Sequence, residues 1–311
     1  MRLTFSGLFT QCQSNTADTS ATSLTYFKQQ INTRYQLVLA QLQDYQDIKT
    51  ATASTVVAQQ YYHNPPGYVN IESITVTTSA SSSIKYILKP VDSSLDWDIL
   101  NAIQFTGSAI PLYFFQRRDD FGIWPTPQGV GTITINYIYR DRNLTQSDYT
   151  TGSITATNNS QTITGSGTTF TAGMVGRWIS VTNDGYWYRI SGFTSTTILT
   201  IEEAYQGTTG SSLAYTLGEC PELPEEAHEL LSIGATGDYY AGVRNDLKNA
   251  TWWNNTFWTG DGNNNDRTGR NIRGGLIGLQ KRYSARSNSK IVRKRASQGL
   301  LNSKIFATSI S

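Results

Sequence analysis

Between Ala21 and Tyr45 the apolar side chains fall three or four residues apart, at Leu24, Phe27, Ile31, Tyr35, Val38, Leu42 and Tyr45. Lys28, Gln29, Asn32, Arg34 and Gln36 lie between them. That period predicts an amphipathic helix of about six turns, with Asp18, Thr19, Ser20 and Thr22 as candidate caps. Its polar face, rich in Gln and Asn, suits a neighbouring subunit as well as its own domain. From Val69 the period changes to two: Val69, Ile71, then Ile74, Val76, followed by Ile84, Tyr86, Leu88 and later Ile133, Ile135, Tyr137, Tyr139. These alternations predict strands. Pro65-Pro66-Gly67, Ser79 to Ser83 and Pro125-Thr126-Pro127 read as turns or loops, and Leu95, Ile99 and Ile103 share one face of a short helix.

Near Thr150 the pattern shifts again. Short apolar runs at Ile154, Ile163, Trp178-Ile179, Trp187 to Ile190, Ile198 to Ile201 and Ala214-Tyr215 are separated by Gly, Thr, Ser or Asn. A spacing of about 8 to 12 residues is that of a small all-β barrel or sandwich, set between the preceding sheet and a following helix. That helix is signalled by Pro224 near its first turn with Glu222, Glu225 and Glu226, where the macrodipole favours carboxylates. Leu230, Leu231 and Ile233 supply its apolar face, and Arg244 and Lys248 suit its far end. Gly234 and Gly237 weaken an isolated helix by about 1 kcal/mol each, so they mark places where another backbone approaches closely. Trp252, Trp253, Phe257 and Trp258 follow, and Gly260-Asp261-Gly262 with its Asn run ends the element.

Composition adds an asymmetry that the pattern does not show. The formal charge of +2 conceals eleven Lys or Arg and no acidic residue after Asp266, against a balance of −9 for residues 1–266. The eleven are Arg267, Arg270, Arg273, Lys281, Arg282, Arg286, Lys290, Arg293, Lys294, Arg295 and Lys304. Interleaved with them, Leu276, Ile277, Leu279, Ile291, Val292, Leu300 and Leu301 are too sparse for a core, so this arm is expected to order only against a partner. An acidic body with a basic arm suits head-to-tail association of copies or an acidic partner surface.

Catalytic chemistry finds no foothold. The two histidines, His63 and His228, lie in no signature; His63 is read in a loop beside Pro65-Pro66, and His228 as a surface or interface side chain on the closing helix. Gly165-Ser166-Gly167 lacks the Lys of a phosphate-binding loop and reads as a turn, so no cofactor is expected. Glu202-Glu203 reads as a solvated pair, and Cys12 and Cys220 are too few for a metal motif or disulfide framework and are expected to be reduced. No stretch reaches the roughly 20 apolar residues of a membrane helix, and the N-terminus lacks a signal-peptide run, so no membrane partner is expected.

Several stretches carry a resemblance: the helix from Ala21 to Leu42; Ile123-Trp124-Pro125-Thr126-Pro127 leading into Thr132 to Tyr139; and Ser153 to Thr171 with Met174 to Ile179, Trp187 to Ile190 and Ala204 to Gly207. With Pro221 to His228 as a helix start, the chain from about Ala17 to Tyr240 resembles the head-to-tail adaptor proteins of tailed bacteriophages. The resemblance implies a non-enzymatic α+β protein with a helical ring-forming core, a β-sheet region, the inserted β module and an extended basic arm. It divides as 1–149 for the N-terminal helix and sheet, 150–218 for the module, 219–260 for the closing helix and 261–311 for the arm. It further implies a ring, usually of twelve copies, assembled in the host cytoplasm and placed in the virion at the head–tail junction. Such a ring docks on the portal, receives a tail or tail-nozzle protein and encloses DNA without reading its sequence. Leu24, Phe27, Ile31, Val38, Leu42, Leu230, Leu231 and Gly234 are then expected on the ring-wall helices, and the arm on the portal. The competing reading is a tail or receptor-binding component in which Trp178, Tyr186, Trp187 and Tyr188 stack on host glycan, set against the preferred reading that these rings fill the module's small core, and a further one makes the arm a nucleic-acid binder.

Overall fold

The computed structural model describes residues 2–42, 48–78, 84–103, 110–182, 184–260 and 274–283. Its helices are α1 (Phe5–Thr16), α2 (Ala21–Gln41), α3 (Ser94–Ala102), α4 (Glu225–Gly242), α5 (Leu247–Thr259) and α6 at residues 275–283. Helices and strands are mixed, and the chain divides into two compact units, residues 1–44 with 143–311 and residues 45–142.

In the first unit a helical core is built from α1, α2, α4, α5 and α6. Thr4 starts α1 by accepting the Gly7 N–H at 3.0 Å, and Ser20, among the four candidate caps, starts α2 by accepting from Ser23 at 3.3 Å. Phe5, Leu8 and Cys12 of α1 meet Phe27, Ile31, Tyr35 and Val38 of α2 and Leu230, Leu231 and Ile233 of α4 in one buried cluster. Each such large side chain taken out of water is worth roughly 1.5–3 kcal/mol. α1 has no counterpart in the sequence reading, although Phe5, Leu8, Phe9 and Cys12 fall at helical spacing.

The closing helix is two helices. α4 ends at Gly242, and α5 begins after Asp246, whose carboxylate accepts the Asn249 N–H at 3.1 Å. α5 folds back on α4, and the two glycines are where it lands. A Cβ on Gly234 would stand 3.0 Å from the Phe257 ring and 2.9 Å from the Arg34 chain, and one on Gly237 would stand 3.2 Å from the Trp253 Cβ. The close backbone approach expected at these glycines is corrected: side chains of α2 and α5, not a backbone, meet them.

The expectation of an extended arm is corrected at residues 275–283. This stretch is helical, and Leu276 and Leu279 are buried in the helical core. Its start is fixed by Gly275, at positive φ, where a Cβ would lie 2.6 Å from the backbone nitrogen of Gly260. Residues 261–273 and 284–311 lie outside the described residues, as do 43–47 at the expected end of the first helix and the serine run 79–83.

The same unit holds β9 (Ser153–Ala156), β10 (Thr162–Ser166), β11 (Trp178–Val181), β12 (Tyr188–Ser195), β13 (Ile198–Ile201), β14 (Gly210–Leu213) and β15 (Tyr215–Gly218). They form a single antiparallel sheet in the order β14-β9-β10-β13-β12-β11-β15, curled into a half-barrel around Ile154, Ile163, Phe170, Ile190, Leu199 and Leu217. A half-barrel replaces the expected barrel or sandwich. Gly165 and Ser166 lie at the end of β10, with the turn residue being Gly167 at φ 69°.

The second unit stacks two four-stranded sheets. Its strands are β1 (Ile48–Ser54), β2 (Tyr61–His63), β3 (Tyr68–Thr78), β4 (Lys85–Ile87), β5 (Lys89–Pro90), β6 (Tyr113–Gln116), β7 (Asp120–Trp124) and β8 (Gly131–Tyr139), in the orders β1-β8-β3-β4 and β2-β7-β6-β5. Ile74, Val76, Ile133 and Ile135 of the first sheet share a core with Tyr62, Phe114, Phe121 and Ile123 of the second. The parity change from Ile71 to Ile74 has a structural cause: the β3–β8 register shifts between Ile71 and Ser73, so both isoleucines face inward. His63 is the last residue of β2, not a loop residue. Helix α3 forms where expected, but Trp97 is its buried residue, and Leu95, Ile99 and Ile103 are exposed.

Candidate interaction surfaces

The ring-wall residues sit inside the subunit. Phe27, Ile31, Val38, Leu42, Leu230 and Leu231 are core members, Gly234 is buried, and Leu24 is half-buried. They are unavailable to a neighbour without opening the core, which leaves only the outer helix faces for contact. Much of the polar face of α2 is also used internally. Asn32 exchanges two hydrogen bonds with the backbone of Leu144, at 2.7 and 2.9 Å, in the manner of a strand pair. Arg34 donates to Asp238 at 2.8 Å and to Asn254 at 2.8 Å, with its guanidinium 4.6 Å from the Phe257 ring centroid. One cation on α2 thus holds α4 and α5 together.

His228 is fully buried, which corrects its reading as a surface or interface side chain. Its Nδ1 accepts the Leu3 N–H at 3.0 Å, so Nε2 carries the proton and faces the Leu223 carbonyl at 3.1 Å. Burial lowers its pKa to about 4. A neutral imidazole clasped by two backbone groups ties the N-terminus to α4; it is a structural pin. The N-terminus is further held by Arg2, stacked 3.4 Å over the Trp178 ring and 3.3 Å from Glu225, and by the Phe5 N–H donating to Glu219 at 2.7 Å. Cys12 and Cys220 are free and buried, and burial pushes both thiols up, Cys12 to about 12, which leaves them unreactive.

The aromatic platform proposed for the β module is not assembled. Tyr188 is 4% exposed and donates to Asp184 at 2.7 Å, serving the module's own core. Trp178 is covered by Arg2, and its buried indole N–H finds no partner among the described residues. Trp187 is half-buried, leaving Tyr186, at 62% exposed, as the accessible ring of the four. A cavity of about 770 Å³ in the module lies elsewhere, among Asn158, Asp184, Gln206 and Thr209. None of the proposed stacking residues lines it.

Of the eleven arm cations, Lys281 and Arg282 fall among the described residues. Both are exposed on α6, but Arg282 lies 2.7 Å from Glu226 of α4, and Tyr283 donates to the same carboxylate at 2.9 Å. These two contacts anchor the base of the arm to the body. The other nine cations lie outside the described residues.

Among the described residues no group of three His, Cys, Asp or Glu side chains is placed to hold a metal ion, and no helix is long and apolar enough to cross a membrane. Glu202 and Glu203 are exposed. Among curated proteins none matches the chain. The family model described as SU10 adaptor protein matches residues 3–160, just over half of the sequence, spanning α1, α2, the whole second unit and the first strand of the module.

Proposed function

The chain belongs to the SU10 adaptor protein family, a family of phage structural adaptors, and on that footing we propose that it is the head-to-tail adaptor of a tailed bacteriophage. Copies of the chain form a ring, of twelve where the portal is twelvefold, that continues the DNA channel and offers the tail its attachment surface. The functional division keeps the boundaries 149/150, 218/219 and 260/261: helices and sheet for the ring, the β module for the outer or tail-facing surface, and the basic arm for the portal. The protein assembles in the host cytoplasm and resides at the head–tail junction of the virion.

The family match carries this reading. Two physical features support it. The body is acidic, with a balance of −9 over residues 1–266, which suits a channel that must not retain DNA phosphates. The arm is basic throughout and its described base is fastened to the body, as a strap needs. The glycan-binding alternative loses its support with the burial of Tyr188 and the covering of Trp178.

Mixing the full chain with the portal of its phage tests the reading. A ring on the portal in electron micrographs is the expected result; a protein that stays unbound at micromolar concentrations, or is found at the tail tip of the particle, overturns it.

A further inference from the structure

Helix α3 carries an apolar stripe that its own fold does not use. Trp97 alone turns inward, stacked on Phe115 at 5.5 Å with its indole N–H toward the Tyr61 hydroxyl at 3.4 Å. Leu95 and Ile99 lie four residues apart on the opposite side, and Ile103 follows at the helix's C-cap, each at least half exposed, Leu95 at 66%. A run of large aliphatics on one exposed helix face marks an interaction surface. Asp92, Asp96 and Asp98 on and just before the helix are all exposed and negative. At its C-terminal end Ile103 borders a cavity of about 280 Å³ shared with Trp124, Pro125 and Gln128.

Large apolar side chains are also exposed around the turn from α4 into α5. Val243, Leu247 and Trp252 stand outside the helical core, Leu247 at 71% exposed, while Trp253 and Phe257 of the same helix are buried in it. The charges here are opposite in sign: Arg244 and Lys248 are exposed. Asp246, the nearest acid, has its carboxylate turned to the cap of α5, and Asp18 stands 3.9 Å from Arg244.

We propose that the α4–α5 turn of one copy seats on the α3 stripe of the next, Trp252 entering the cavity beside Ile103, so that copies join head to tail. The proposal rests on the ring reading and names its contact. Two unlike patches on one chain make a heterologous interface, which closes into a ring when its rotation divides the circle. Pairing α3 with α3 would set three aspartates against three, so the twofold alternative is disfavoured. A half-exposed tryptophan meeting a concavity is the kind of contact in which interface energy concentrates.

Cross-linking tests this directly, because Cys12 and Cys220 are buried and an introduced surface cysteine is the accessible thiol. Full-length Ile99→Cys and Leu247→Cys are treated with a short bis-maleimide, each alone and mixed, with and without the portal. The mixed sample is expected to cross-link several-fold faster than either variant alone. Adding Trp252→Ala to the Leu247→Cys chain should slow that reaction about tenfold or more. Asp96→Lys should slow it too, with Lys248→Glu on the opposing chain restoring it. Equal rates in all samples, faster pairing of like variants, or cross-links from position 99 only to the portal overturn the proposal. Rings in micrographs without the 99–247 cross-link sink this contact and leave the ring reading standing, whereas the cross-link without rings supports the contact and sinks the ring.

Discussion

Arg34 occupies a position that helical period assigns to solvent, yet it is the cation on which three helices converge. Removing it leaves the Asp238 carboxylate, itself only partly exposed, without its bidentate partner and strips a cation from the Phe257 ring. Arg34→Ala is expected to cost about 3 kcal/mol in chemical denaturation. Arg34→Lys should recover only part of that, because an ammonium cannot reproduce the fork that reaches Asp238 and Asn254 together. His228 makes a second, pH-dependent claim. In the unfolded chain its imidazole takes up a proton near pH 6.5, whereas burial in the fold withholds that proton until about pH 4. The unfolded state therefore binds more protons across this window, and stability falls as pH drops through it, by roughly 3 kcal/mol at the acid end. His228→Leu should flatten that part of the stability–pH curve while lowering stability at neutral pH, since the Leu3 N–H loses its acceptor. Denaturant midpoints between pH 4 and 7 measure both effects, and equal slopes in the two proteins would refute the assignment. Neither role is legible from residue type. A histidine reads the same on a surface as in a core until the partner that reaches it, here Leu3, is known.

Elements announced by a strong local period form in the fold: α2, α3, the start of α4, β3, β8 and the strands of the β module. Those that depend on distant partners escape the sequence. Strand β1 has no large alternating hydrophobics and exists because Ile48 to Ser54 pair with β8 more than seventy residues later. The break between α4 and α5 falls among residues that all suit a helix end, and only the packing of Phe257 and Trp253 on Gly234 and Gly237 shows why the chain reverses. Which way α3 faces is not legible for a related reason, since a stripe at helical spacing looks the same whether or not anything covers it. Helix α6 is the opposite case, apolar residues dismissed as too sparse that find a place in an existing core. Two leucines and the Glu226 contacts hold that helix, so it should be removable without unfolding the rest. Leu276→Ala with Leu279→Ala, each substitution worth about 2–5 kcal/mol at a buried site, is expected to release it. Trypsin should then cut rapidly after Lys281 and Arg282 while most of the far-ultraviolet helical signal persists. Unchanged cleavage would mean that other contacts hold α6.

The whole chain combines an acidic body with cations concentrated at one end, and the structure divides that end in two. Helix α6 joins its cations to the body, with Arg282 matched by Glu226, while residues 284–311 carry six Lys or Arg and no acid. The charge asymmetry was visible from composition alone. The separate unit at residues 45–142 was not, because its first sheet recruits β1 and β8 from opposite ends of the segment. If the distal part of the arm is the strap, the body should fold without it. A chain ending at Tyr283 keeps every described member of the helical core and changes from a formal +2 to −4. Its melting temperature is expected to stay within a degree or two of the full chain, since every described member of the helical core lies at or before Tyr283. Its association with the portal should be lost, and that of the full chain should weaken as salt screens the arm's charges. Wild-type portal binding by the shortened chain removes the strap from residues 284–311. Sequence-preferring DNA binding by the full chain, persisting at high salt, assigns those cations to nucleic acid instead, because purely electrostatic phosphate contacts fade steeply as counterions compete.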